Sequence, residues 1–291
     1  MLVGNETALQ QLMDQASFIA ERENFTLVFA AVQGSISRGL QRYDSDYDIR
    51  FLYKRKGTFK IDDKTAWSEK NVVLRYYPEQ DTFFDKIAFW DIEAFVSFLF
   101  TPELDQKGIS VGLYNQFFWT FSSPYNWDPY GIAGKIMPIA NAVINIKWLT
   151  AYFIDYVKKI LCRETLFLRD YIYCILGIWQ LMWLHRYRSY PPLDYYTLKY
   201  ISNDAAITEL TDKYVAQLKS LKKQTFVRKN FSHVPVDRNP GLDKWIKEKM
   251  LHFDSIMSCL TEEPLIAPQI IPCLNELFCE SFKEKTVRGI V

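Results

Sequence analysis

The pattern of apolar and polar positions divides the chain into a mixed first third and an almost wholly helical remainder. Apolar residues recur at helical spacing over 5–22, which predicts an amphipathic helix. A nearly continuous apolar run over 25–32 predicts a central strand that is covered on both faces. Further strands are predicted over 49–53, 72–77 and 82–90.

Helical periodicity dominates the rest of the sequence. Helices are predicted over 133–160, 165–187, 204–223, 240–259 and 270–284, with breaks at Pro191-Pro192 and at 235–240. The apolar run over 171–184 is too short for a bilayer, which needs about 20 residues, so it predicts a buried helix and no membrane association. The pattern therefore predicts an α+β protein, with a mixed-sheet domain over 1–105 and a helical domain over 106–291.

Composition excludes several classes of protein. The chain has 291 residues and is 49% hydrophobic, which excludes a disordered chain. Its 35 basic and 34 acidic residues give a net charge of +1, which argues against an evenly cationic surface for nucleic acid. The 5 cysteines are an odd number without Cys-x-x-Cys spacing, so neither a disulfide framework nor a structural zinc site is expected. The first 15 residues lack the features of a signal peptide, which predicts a cytoplasmic protein.

The stretch from Gly34 to Asp48 carries the candidate chemistry. Gly34 and Ser35 directly follow the apolar strand, and Asp46 and Asp48 lie at the start of the next strand. Glycine lets a phosphate approach the backbone, and the Ser35 hydroxyl can donate to phosphate oxygens. Residues two apart on a strand share a face, so both carboxylates can reach one Mg²⁺ or Mn²⁺ ion.

This arrangement resembles the DNA polymerase β-like nucleotidyltransferase superfamily, whose signature is Gly-Ser followed by Asp-x-Asp. It is most similar to the YcgL-like predicted nucleotidyltransferases, which share Gly39 and the Asp-Ser-Asp-Tyr-Asp run over 44–48. The resemblance implies a polymerase-β-like fold with a mixed, mainly antiparallel sheet. It also implies metal-dependent transfer of a nucleoside monophosphate from a triphosphate to a hydroxyl acceptor. Gly34 and Ser35 would then hold the triphosphate, and Asp46 and Asp48 the metal.

A third carboxylate on a later strand completes the site in that superfamily. An alignment without gaps through Trp90-Asp91 puts Lys86 at this position, with Asp85 one residue away. A shift of one residue turns a strand side chain to the opposite face, and a β-bulge at Asp85 would reverse that shift. Two alternatives follow: Asp85 is the third metal ligand and activates the acceptor, or Lys86 occupies the site and the protein binds nucleotide or nucleic acid without catalysis.

A local excess of basic residues suggests a candidate acceptor. Residues 1–105 carry 12 basic and 17 acidic residues, whereas 213–249 carry 10 basic and 3 acidic ones. A solvated helical face is the simpler explanation of such a segment. As a binding surface it would attract phosphate-rich partners, and RNA or another nucleic acid is therefore the candidate acceptor.

Overall fold

A computed structural model of the protein describes residues 6–42, 45, 48–55, 72–76, 86–100, 109–221, 235–261 and 267–286. The strands are β1 (Phe25–Val32), β2 (Asp48–Arg55), β3 (Val72–Tyr76), β4 (Lys86–Asp91) and β5 (Asn126–Trp127). The helices are α1 (Glu6–Arg22), α2 (Gly34–Ser37), α3 (Ile92–Ser97), α4 (Ile109–Phe121), α5 (Ile132–Ala142), α6 (Ile146–Leu161), α7 (Leu168–Tyr187), α8 (Tyr195–Leu198), α9 (Ala205–Ser220), α10 (Pro240–Cys259) and α11 (Ala267–Thr286).

The strands form one mixed sheet in the order β3-β4-β2-β1-β5. β1 runs antiparallel to β2 and β5, and β3 runs antiparallel to β4, whereas β2 and β4 are parallel. The prediction of an α+β fold with a mixed, mainly antiparallel sheet is confirmed at this level. The two-residue strand β5 was not predicted, because it is too short to show an alternating pattern.

One face of the sheet is covered by the amphipathic helix α1. Leu12, Ala16 and Ile19 of α1 are buried in a cluster that includes Phe51 of β2 and Phe89 of β4. The rings of Phe51 and Phe89 stack with their centroids 5.2 Å apart. The spacing of apolar residues in α1 therefore matches the face that the sheet presents to it.

The opposite face is covered by aromatic residues of α3 and α4. The ring of Phe29 on β1 lies 5.1 Å from that of Phe121 on α4. Phe95 of α3 contacts both Trp90 of β4 and Phe117 of α4. Helices on both faces explain why β1 is apolar along nearly its whole length: only Thr26 is exposed.

The structure divides the chain into two compact units, and the division differs from the predicted boundary between 105 and 106. One unit, called here the sheet unit, contains the described residues within 1–37, 46–143 and 264–291. The other, the helical unit, contains those within 38–45 and 144–263. The sheet unit extends past 105 because α4 supplies the apolar cover of one sheet face, which a sheet cannot leave exposed.

The helical unit is built around α6 and α7. Most of α7 is buried, including Trp179 and Leu181 at 0% exposure. The two helices approach closely at Gly177, where a Cβ atom would lie 2.6 Å from Cγ2 of Val157. The predicted helix over 133–160 is two helices, because the chain breaks at 143–145 and the Asn145 side chain accepts from the N–H of Trp148 to start α6.

The buried position of α7 accords with the prediction for 171–184. Among the helices of the described ranges, none has the length and apolar character needed to span a membrane.

Candidate functional site

The predicted phosphate turn lies where β1 ends and α2 begins. Gly34 has a φ of 69°, in the left-handed region that glycine adopts without strain. The turn is closed by the Ser37 hydroxyl, which donates to the carbonyl oxygen of Gly34 at 3.0 Å. Ser35 follows Gly34 in α2 and is half-buried. The sequence thus places a glycine where the backbone needs one and a hydroxyl residue directly after it.

Asp48 lies beside this turn. It is the first residue of β2 and is exposed. A Cβ atom on residue 34 would lie 2.6 Å from Oδ2 of Asp48. Because glycine has no Cβ atom, the space next to this carboxylate stays open. The two segments are joined by the N–H of Gln33, which donates to the Asp48 carbonyl at 2.7 Å. The structure therefore brings together Gly34 and Asp48, which are 14 positions apart in the sequence.

The other two predicted carboxylates, Asp46 and Asp85, lie outside the described residues. The backbone register next to them is described: in the parallel pair of β2 and β4, Asp48 is the partner of Lys86. The residue level with Asp48 on the neighbouring strand is therefore a lysine. The assignment of Asp85 as third ligand stays a prediction.

The same face of the sheet carries Arg50, which the motif analysis did not single out. Arg50 follows Asp48 by two positions on β2, so the two side chains share a face. Its Nη1 donates to Oε1 of Gln116 and to Oγ1 of Thr120, both at 2.8 Å, and both residues belong to α4. Its guanidinium lies over the ring of Trp90, with Cζ 4.2 Å from the ring centroid. A charged residue within the apolar run over 49–53 was the available signal.

Gln33 extends this polar contact toward the turn. Its side chain is buried, and Nε2 donates to Oγ1 of Thr120 at 3.4 Å. Thr120 therefore accepts from both Gln33 and Arg50, and it connects the residue before the phosphate turn with the residue two positions after Asp48. These contacts fix α4 against the end of the sheet where Asp48 lies.

The electrostatics of Arg50 differ from those of an ordinary surface arginine. Burial lowers the pKa of Arg50 to about 10, and the nearby charge of Asp48 opposes that change. Arg50 thus stays protonated at neutral pH, although removing its charge from water costs free energy. In the described part of the chain, its hydrogen-bond partners are the neutral Gln116 and Thr120.

The residues present are compatible with a hard divalent cation. Asp48 offers an exposed carboxylate next to a turn whose glycine leaves room beside it, and carboxylate oxygens suit Mg²⁺ and Mn²⁺. Within the described ranges, no group of three or more His, Cys, Asp or Glu side chains is placed to hold a metal ion. Asp46, Asp48 and Asp85 are the residues that would hold the ion.

The basic segment over 213–249 is described in part. Lys213 pairs with Glu209 at 2.8 Å, and Arg238 contacts Asp243 and the carbonyl oxygens of Leu161 and Arg163. Lys219 donates to the hydroxyl of Tyr196 at 2.8 Å. Several of these cations therefore have local partners, and a nucleic-acid surface here stays a prediction. Lys222, Lys223, Arg228 and Lys229 lie outside the described residues.

Comparison with known proteins gives one relative of low similarity. The chain is 23% identical over 195 residues to the uncharacterized protein YcgL of Bacillus subtilis (strain 168), a match that covers 65% of this chain and 68% of the relative. No family model matches the chain. No solved structure matches it either.

Proposed function

We propose that this protein is a metal-dependent nucleotidyltransferase that moves a nucleoside monophosphate from a nucleoside triphosphate to a hydroxyl acceptor. One observation carries the proposal: the left-handed Gly34 packs against the carboxylate of Asp48, where a Cβ atom would lie 2.6 Å from Oδ2. A turn without a side chain beside an exposed carboxylate suits a phosphate whose charge is balanced by a cation.

Each residue has a defined part in the proposed reaction. The backbone at Gly34 and the Ser35 hydroxyl hold the triphosphate. Asp46, Asp48 and Asp85 would hold Mg²⁺ or Mn²⁺, which neutralises charge on the phosphates when bound. The acceptor oxygen forms a bond to the α-phosphorus, the bond from that phosphorus to the bridging oxygen breaks, and pyrophosphate leaves with the electron pair. The acceptor proton passes to the carboxylate of Asp85.

A second candidate function has an observation in its favour. The register of β2 and β4 puts Lys86, and not a carboxylate, level with Asp48. In this candidate, the ammonium group of Lys86 would replace the positive charge of one metal ion. The protein would then bind a nucleotide or nucleic acid without transferring a nucleoside monophosphate. The two candidates share the phosphate turn and differ in whether pyrophosphate is released.

The test compares Asp48→Asn with wild type and with Asp155→Asn, a control that removes an exposed carboxylate from α6. Each triphosphate, labelled on the α-phosphate, is incubated with Mg²⁺ or Mn²⁺ and with RNA, protein or polyol acceptors. We expect label transfer and pyrophosphate release by wild type and the control, and a loss of about 100-fold or more in Asp48→Asn. Triphosphate binding without release supports the binding protein, and absence of binding contradicts both candidates.

A further inference from the structure

Arg50 is a half-buried cation whose hydrogen-bond partners among the described residues are neutral, and the nearby negative charge is that of Asp48. The structure gives it hydrogen bonds to Gln116 and Thr120 and a contact with the Trp90 ring, but no carboxylate of the described residues lies within ion-pair distance. Removing a charge from water without pairing it costs free energy, so such groups are retained where they have a task. The folded chain holds this one in place with neutral partners.

Two N–H groups at this position also lack an acceptor within the described ranges. They are Nε–H of Arg50 and Nε1–H of Trp90, and both atoms are buried. Buried donors are nearly always satisfied in folded proteins, so a pair of unsatisfied donors beside one another calls for an explanation. A cation with spare donors is the chemistry that recognises an oxyanion.

The position of Arg50 identifies the oxyanion. Arg50 shares a sheet face with Asp48, and Thr120 links it to Gln33, the residue before the phosphate turn. The fork of a guanidinium matches the oxygens of a phosphate, and a fixed guanidinium loses little conformational entropy on binding one. Stacking on Trp90 and the bonds from Nη1 supply that fixation.

We infer that Arg50, oriented by Trp90, Gln116 and Thr120, is a phosphate-recognition residue that supplies the positive charge for the polyphosphate part of the nucleotide. This inference rests on the proposed function, because it assigns the anion to the same site. It also accounts for the charged residue within the apolar run over 49–53.

Four variants distinguish the effect of the Arg50 charge from that of the guanidinium shape and from that of positive charge elsewhere on β2. Arg50→Gln removes the charge but keeps an amide donor for α4, and Arg50→Lys keeps the charge without the fork. Arg55→Gln is the matched control, because it removes one positive charge from the same strand at an exposed residue that pairs with Asp91. Trp90→Phe keeps a ring under the guanidinium and removes the indole N–H.

The experiment measures binding of inorganic tripolyphosphate with Mg²⁺ by calorimetry on the full chain, together with the melting temperature without ligand. We expect Arg50→Gln to weaken binding about 10- to 100-fold, and Trp90→Phe about 2- to 10-fold. Arg50→Lys should fall between wild type and Arg50→Gln, and Arg55→Gln within about 2-fold of wild type. Without ligand, Arg50→Gln should melt close to the wild-type temperature, because the lost hydrogen bonds to Gln116 and Thr120 oppose the gain from removing a desolvated charge.

The outcomes separate this inference from the proposed function. Equal binding by wild type and Arg50→Gln overturns the role of Arg50 and leaves the proposed function intact. The same holds if wild type binds nucleoside triphosphates but not tripolyphosphate, or if Arg50→Gln melts lower while binding is unchanged. Failure of the wild type to bind either ligand overturns the proposed function and the inference together.

Discussion

Two acids of the helical unit have charged or hydroxyl partners, whereas Arg50 of the sheet unit is held by neutral side chains. In the helical unit, the buried carboxylate of Asp170 accepts from Nη1 of Arg163 at 2.7 Å and from the N–H of Phe167 at 3.0 Å. Asp243 likewise accepts from the Tyr171 hydroxyl at 2.7 Å and from Arg238. In the sheet unit, Arg50 is held by neutral side chains, and its Nε–H has no acceptor in the described residues.

The difference distinguishes charges that stabilise the fold from a charge that costs stability. The two acids of the helical unit accept from bases, a hydroxyl and a backbone N–H group, so their contacts stabilise the fold. Both units contain buried donors without an acceptor in the described residues, such as Nε1 of Trp90 and Nε1 of Trp179. Arg50 is a charged residue with such a donor, and its position two residues from the exposed Asp48 supports the proposal that the sheet unit holds the functional site.

The largest expected effect comes from adding a methyl group at Gly34. Gly34→Ala forces a left-handed alanine, and the Asp48 carboxylate must move, because the Cβ would otherwise lie 2.6 Å from its Oδ2. We expect the backbone strain to lower the free energy of unfolding by about 1–2 kcal/mol, and the displaced carboxylate to weaken triphosphate binding about 10-fold or more. Urea unfolding and calorimetry measure the two quantities.

Gly39→Ala in the helical unit is the matched comparison. Gly39 has a φ of 68°, and its Cβ would lie 2.6 Å from Oδ1 of Asp194. A similar loss of stability is expected without loss of triphosphate binding. Gly131→Ala measures the backbone strain alone, because Gly131 has a φ of 65° and no atom lies within 4 Å of the position of its added Cβ. This variant should lower the free energy of unfolding by about 1 kcal/mol. Equal binding losses in Gly34→Ala and Gly39→Ala would contradict the assignment of function to the sheet unit.

An intermediate effect is expected from acid on the helical unit. Burial, assisted by Arg188 and His252, lowers the pKa of His185 to about 4. The neutral ring contacts Oγ1 of Thr150 through Nε2 at 2.9 Å. Because the folded pKa lies below the unfolded value of about 6.5, this contribution is complete above pH 6.5 and is lost as the pH falls toward 4.

The prediction is measured as a difference between two proteins. The stability of wild type relative to His185→Gln should fall by about 1–2 kcal/mol between pH 7.5 and pH 4.5, as urea unfolding reports it, because the partly exposed ring is screened by solvent. Subtracting the two stabilities cancels the effect of carboxylate titration, because both proteins have the same carboxylates. A difference that stays constant with pH would show that folding leaves the pKa of His185 at its unfolded value.

The smallest expected effect is the loss of one hydroxyl in the helical unit. Tyr171 donates to Oδ1 of Asp243 at 2.7 Å and accepts from the N–H of Asn239 at 3.0 Å. Tyr171→Phe should lower the free energy of unfolding by about 1–2 kcal/mol, since Arg238 still pairs with Asp243. Triphosphate binding should be unchanged, and a measurable loss of binding would break the separation of roles between the units.

The elements of the fold followed from local pattern, whereas its division into units did not. The helical period of 5–22 and the apolar run of 25–32 match α1 and β1, and the helix predicted over 240–259 matches α10. The boundary at 105/106 differs from the observed division because the switch from strands to helices at that point is a local signal. Which helices cover the sheet depends on contacts between distant segments, such as Phe29 with Phe121.

The candidate site was predictable as a motif but not as an environment. Gly34, Ser35 and Asp48 were found because their residue types and spacing are limited by phosphate and metal chemistry. Gln33 and Arg50 were not, because their importance comes from Thr120 and Gln116, which lie 66 or more positions away along the chain. The role of a buried charged residue can be inferred only when the residues that it contacts are known.

The path of the chain through residues 38–45 sets a practical limit on how the protein can be divided. These residues belong to the helical unit, although the phosphate turn before them and Asp48 after them belong to the sheet unit. The sheet unit also needs α11, which comes after the helical unit in the sequence. A fragment that ends at residue 143 therefore lacks α11 and separates Leu40, 2% exposed in the whole protein, from the rest of the unit to which it belongs. Shortening the chain to its motif-bearing end is consequently a poor route to a smaller protein with the same site, and crystallisation or engineering should begin with an uninterrupted chain.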